Sequence, residues 1–159
     1  MRRALPAVVF VIAVVAAASG CGGDKSSLAP QEYRTKLAAI AEEGHSSVSR
    51  LENAVTRSTT SAQLADAVAR FGETQEQLAT ELADLDPPKN AASANAQLVK
   101  AERAHAAATA KLVTKLRKTR LLRDAVAISL GDADFSATGR QVNKALTALE
   151  NLGYVNTGG

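Results

Sequence analysis

The chain has 159 residues, 46% of them hydrophobic and 22% charged, with only 3% aromatic and no Trp. An apolar content carried by Ala, Leu and Val favours one small domain of close-packed helices and argues against a sheet sandwich. A formal charge of +3, from 19 basic and 16 acidic residues, is too balanced for a dedicated nucleic-acid binder, and a single Cys permits no internal disulfide.

The first element is an export signal. Met1-Arg2-Arg3 supplies a positive start, Ala7 to Ala18 an unbroken apolar run, and Gly22-Gly23 open a polar stretch. The run is well short of the ~20 residues a helix needs to cross the hydrocarbon core, so cleavage is expected rather than a permanent span. It ends in Ala18-Ser19-Gly20-Cys21, small residues followed by the only Cys. Residues 1–23 thereby resemble the lipobox of a bacterial lipoprotein signal peptide, with Ala at position 18 where Leu is commonest. That resemblance implies lipidation of Cys21, cleavage just before it, and an extracytoplasmic domain held on the bacterial cell membrane. Residues 1–20 then form the signal peptide and 21–29 a lipidated tether. Two or more acyl chains hold a domain on a bilayer essentially permanently.

From Pro30 the positions Tyr33, Leu37, Ile40, Gly44, Val48 (or Ser47), Leu51 and Val55 recur at three- and four-residue steps, predicting a first helix over 30–57. Pro30 suits its first turn and Glu32 the positive end of its dipole. Thr60 with Gln63 has the form of a capping box. Behind it Leu64, Val68, Phe71, Gln75, Leu78, Leu82 and Leu85 make a heptad helix that stops at Asp86-Pro87-Pro88, where Asp86 is expected to cap the next one.

No Gly or Pro interrupts the chain between Lys89 and Leu130, so a single third helix of roughly 60 Å is expected. Its stripe is Ala91, Leu98, Ala101, His105, Ala108, Leu112, Leu116, Thr119, Leu122, Val126 and Leu130, and its last third should overhang partners of about 40 Å. Gly131-Asp132-Ala133-Asp134 breaks it. Phe135, Thr138, Val142, Leu146, Leu149 and Leu152 then define a fourth helix of roughly 27 Å, ending at Gly153. The expected fold is therefore all-α, an antiparallel bundle of four helices with a long third helix, spanning residues 30–153, with a flexible tail at 154–159.

Charge is divided between the middle helices. Residues 60–86 hold Asp66, Glu73, Glu76, Glu81, Asp84 and Asp86 against Arg70, while residues 100–123 hold eight cations against Glu102 alone. Flanking ion pairs account for part of this. The excess, Lys111, Lys115, Lys118 and Arg123, is expected to form a cationic strip on the overhang and is a candidate surface contact for anionic headgroups or polymer.

Candidate chemistry is sparse. His45 and His105 are the only imidazoles, and rough geometry sets them at similar heights in the bundle, which suggests a ligand or metal position. A zinc site wants three or four ligands, however, and two hydrogen-bonded histidines at the bundle surface are the simpler reading. Asp132-Ala133-Asp134-Phe135-Ser136 begins like a calcium loop but has Ala137 at its sixth position and Asn143 at its twelfth, so capping by Asp132 or Asp134 explains these residues better. No phosphate loop, nucleophile elbow or triad is present. Ala145–Tyr154 resembles the end of small exported helical proteins of actinobacteria, which close with a Leu-Gly-aromatic turn and a Cys-Gly pair. Thr157-Gly158-Gly159 stands here instead, so the disulfide of that group is missing.

The expectation is thus a non-catalytic, cofactor-free envelope lipoprotein that touches the membrane through its lipid and acts on an envelope protein or polymer. The alternative is a small-ligand or metal carrier using the bundle interior near His45 and His105.

Overall fold

The computed structural model describes residues 27–155. It is all-helical, with five helices packed together and no strand among the described residues: α1 Pro30–Arg57, α2 Ser61–Ala83, α3 Ala92–Arg117, α4 Leu122–Gly131 and α5 Ala133–Asn151. The helix starts follow local chemistry. Pro30 stands in the first turn of α1. Thr60 caps α2 by accepting from the Gln63 N–H at 3.2 Å. The reciprocal arm of the box reaches one residue further back than expected, since Gln63 Oε1 accepts from the Thr59 N–H. Asp132 caps α5 by accepting from the Phe135 N–H at 3.0 Å, and its other oxygen holds the Lys115 ammonium at 2.6 Å. That contact, before the backbone bond, keeps the Asp132 carboxyl below its ordinary range and raises Lys115. At the far end of α5, Gly153 takes φ +76° so that the Tyr154 N–H can close on the Leu149 carbonyl.

Two boundaries differ from expectation. Asp86 caps nothing. Its carbonyl instead accepts from the Leu28 N–H, and the chain enters α3 through a turn in which the Pro88 carbonyl accepts from Ala91 and Ala92. The single long third helix is also corrected, because it breaks at Lys118–Leu121 into α3 and α4 without a Gly or Pro. An unbroken helix would carry Leu122, Val126 and Ile128 out into solvent. Turning at Lys118 folds them back onto Leu64, Val68, Leu112 and Leu116 and buries Ala125 completely. Apolar burial of this kind outweighs a few lost helical hydrogen bonds. Leu130, at the end of the predicted stripe, is left 79% exposed.

The centre of the molecule is the α2–α3 pair, along whose outer seam lie the small residues Ala69, Gly72, Ala106 and Ala110. Small residues let the backbones approach closely. A Cβ on Gly72 would lie 2.9 Å from Cγ2 of Thr109, a fully buried residue. α1 packs on α2, α5 on α3, and α4 lies across the end of both central helices. The α1 face uses Ser47, which is buried, rather than Val48, which is 43% exposed. Beyond the predicted domain end, Tyr154 is buried edge-on against Tyr33 at 5.1 Å and donates to Asn90 Oδ1 at 2.9 Å, so the first residues of the expected tail belong to the core. Leu28 of the expected tether packs on the same cluster.

Gly72→Ala should lower stability by about 1–2 kcal/mol in denaturant unfolding, although Ala is the better helix former, because overpacking at Thr109 outweighs the propensity gain. In a Thr109→Ser background, which removes Cγ2 and leaves only the Cβ of residue 109 at 3.3 Å, the same substitution should cost clearly less. Equal effects in both backgrounds would show that the helices are not in close approach at this point.

Candidate functional site

α1 and α5 flank the central pair on the same side without packing on one another. The slot between them is a groove of about 600 Å³, with α1 and α5 as walls and the α2–α3 pair as floor. Each wall helix keeps few residues fully buried: Tyr33, Leu37 and Ser47 on α1, Ala145 and Leu149 on α5. Their remaining apolar positions, Ile40, Val48, Val142 and Leu146, line the opening, with Leu78, Leu82 and Leu98 beneath.

One end of the groove is closed by Tyr154 and by Arg34, whose Nε donates to the Gly153 carbonyl at 2.9 Å while its Nη1 donates to Gln31. Just below, Tyr33 donates to Asn95 Oδ1 at 3.0 Å and Asn95 Nδ2 donates to the Leu82 carbonyl, tying α1, α3 and α2 together. Burial, with the Tyr154 ring beside it, pushes the Tyr33 hydroxyl up to about 12. It therefore serves as a neutral donor throughout the accessible pH range.

The other end carries the chemistry. Gln75 Nε2 donates to Ser47 Oγ at 3.2 Å, fixing α2 to α1 at that level, and Gly44 sits against Leu78 one turn nearer the Tyr154 end. Glu102, one turn along α3 from Leu98, faces the same space. It is only 6% exposed, and its Oε2 has no hydrogen-bond partner among the described residues. Burial pushes the Glu102 carboxyl up to about 7. A buried polar atom without a partner costs free energy, so it marks a place where a ligand gains by supplying one.

The two histidines are not brought to one site. His45 stands exposed on the α1 wall of the groove. His105 is buried on the far side of Glu102, one turn further along α3, with Phe71 at 5.7 Å and Phe135 at 4.7 Å. Its Nδ1 lies 2.9 Å from Thr138 Oγ1, and that hydroxyl gives its own proton to the Asp134 or Phe135 carbonyl. Nδ1 is therefore the donor and Nε2 is unprotonated, in keeping with burial that lowers the His105 pKa. Among the described residues no three His, Cys, Asp or Glu side chains are grouped to hold a metal ion.

The expected cationic strip is also altered. Lys111 and Lys115 lie on α3 and Lys118 at its cap, but Arg123 lies beyond the break on α4, paired with Asp124 at 3.3 Å. Lys115 is held by Asp132. One ion pair joins α2 to α3 among the described residues, Arg117 with Asp66 at 3.7 Å, both ends well exposed. Flanking pairs thus explain little of the charge division. Cys21, and with it the signal segment, lies outside the described residues. No helix among the described residues is long and apolar enough to cross a membrane.

Glu102 was not singled out by sequence reasoning. It sits one position off the apolar stripe, where an acid ordinarily reads as a solvated flank. Its only signal was being the lone acid among eight cations.

The buried carboxyl has a measurable consequence. Between about pH 4.5 and 7 the folded chain holds a proton on Glu102 that the unfolded chain has released, so stability falls as pH rises through this window and levels off above it. His105 acts in the opposite sense, since below its ordinary value the unfolded chain binds the proton first. Relative to Glu102→Gln, the wild-type chain should therefore lose on the order of 3 kcal/mol between pH 5 and pH 8 in urea titrations. Parallel pH profiles for the two would mean that the carboxyl is solvated. The chain matches no protein-family model, no curated protein and no solved structure, so the chemistry of the groove alone carries its functional reading.

Proposed function

We propose that this chain is a bacterial cell-envelope lipoprotein, anchored through lipid at Cys21 and working without catalysis as a binding protein whose site is the α1–α5 groove. The anchor rests on the Ala18-Ser19-Gly20-Cys21 pattern behind an apolar run of export-signal length. The binding role rests on one observation: the groove is of small-molecule size, is walled by aliphatic side chains, and contains a single buried carboxyl. In this reading α1, α2, α3 and α5 make an antiparallel four-helix bundle. Supporting contacts lie at the helix ends, where Leu28 meets Asp86, Ser61 meets Arg120, and Asn90 meets Tyr154.

A second reading, surface contact with an envelope protein or polymer through the basic end of α3, is favoured by Lys111 and Lys118, which have no ion-pair partner among the described residues. That end is remote from the tether. α3, with 26 residues, is ~39 Å long, whereas residues 22–29 reach at most roughly 26–29 Å. With the helices upright, the basic end points away from the anchoring membrane.

Cys21→Ser should move the full chain from the membrane to the soluble fraction, and retention in the membrane would remove the anchor. In that soluble chain a neutral apolar dye such as Nile red should bind and brighten. Ala41→Trp, which fills the groove from its α1 wall, should abolish the signal while leaving the helical circular dichroism intact. Dye binding that is absent, or indifferent to Ala41→Trp, would remove the groove as a binding surface.

A further inference from the structure

The lining of the groove is divided along its length. At the Tyr154 end the one arginine is already occupied by the Gly153 carbonyl and Gln31. The middle is aliphatic, built from Leu37, Leu78, Leu82, Leu98 and Leu146. At the other end stands the Glu102 carboxyl, its Oε2 facing no donor.

The remaining charges on the walls are Glu42 and His45 from α1 and Glu150 from α5, while α2 contributes the neutral Gln75. Glu42 and Glu150, with the Glu102 carboxyl between them able to ionise, thus outnumber the single Arg34 guanidinium, and the lining is acidic. An anionic headgroup would meet repulsion there. A neutral hydroxyl would give the Glu102 carboxyl a hydrogen bond but no counter-charge. A small cation with N–H donors supplies both, and a charge-assisted bond at a desolvated carboxylate is stronger than a neutral one.

Resting on the binding role of the groove, we propose that its ligand is an amphiphile of one aliphatic chain and a small ammonium head, the chain lying on the leucines and the ammonium docking on Glu102. The cavity suits a molecule of this size: single-ligand sites run from about 300 to 1,000 Å³, and beyond Glu102 and Gln75 the floor toward the Tyr154 end is aliphatic, made by Leu78, Leu82 and Leu98. Docking exchanges one proton for one cation. Glu102 enters as the neutral acid near neutral pH, ionises as the ammonium arrives, and releases its proton to solvent.

The experiment uses the full chain carrying Cys21→Ser and three probes below their micelle-forming concentrations: decylamine as its ammonium ion, decanol and decanoate. Calorimetric titration at pH 7.5 should show the ammonium binding at least tenfold tighter than either other probe. Titrations at pH 6.5 in two buffers of different ionisation enthalpy should show proton release. Glu102→Gln should bring the decylamine affinity down to that of decanol and abolish the proton release while the variant still binds decanol, and Lys111→Gln, outside the groove, should preserve both preference and proton release. If all three probes bind alike, or if Glu102→Gln leaves the ammonium preference in place, the head-group assignment is overturned while the groove remains a binding site. Binding of none of the three, together with no Nile red signal, overturns the groove reading itself.

Discussion

The close approach of α2 to α3 governs the rest of the molecule. At Gly72 the two backbones come close enough that a Cβ there would lie 2.9 Å from Cγ2 of the buried Thr109, and on either side of that point Leu64, Val68, Leu112 and Leu116, and Leu82 with Leu98, fill the space between the helices. A contact of this kind gains dispersion energy over a long surface but leaves each helix with only one further side to cover. α1 covers α2 and α5 covers α3, both through their larger side chains. α1 and α5 do not approach one another, so they sit as walls rather than as a closed fourth side, and the groove is the space between them.

The same arrangement accounts for Glu102. On a helix packed from all directions an acid at this position would be excluded by its desolvation cost. Here it borders an open slot, near enough to solvent to be tolerated and deep enough to lack a partner. Its neighbours supply none, because Gln75 is committed to Ser47 and His105 is turned toward Thr138 between two phenylalanines. Those polar side chains are satisfied across helix pairs, and they hold the groove walls at fixed spacing. What they leave over is a single acceptor.

The two ends of the molecule have different characters. The end where α1 begins is tied by Tyr33, Asn95, Tyr154 and Asn90, an aromatic and amide cluster in which both phenolic hydroxyls have partners. The opposite end is closed by α4, whose burial is aliphatic, and by the Asp132 carboxylate that caps α5 while holding Lys115.

Much of this was legible from residue order alone. The helices starting at Pro30, Ser61 and Ala133 follow from a proline, a Thr-Gln box and an aspartate cap, and the heptad stripe from Leu64 to Leu82 follows from spacing, because these depend on neighbours within one or two turns. The break at Lys118 had no such local cause. It depends on Leu122 and Val126 finding a surface on α2 that only the assembled helices provide. Glu102 was hidden for the same reason. A position just off a stripe is solvated on one packing and buried on another, and which holds is decided by the helix that lies beside it. Periodicity shows which face of a helix is apolar, but not how completely another helix will cover it, and the groove is where that coverage stops.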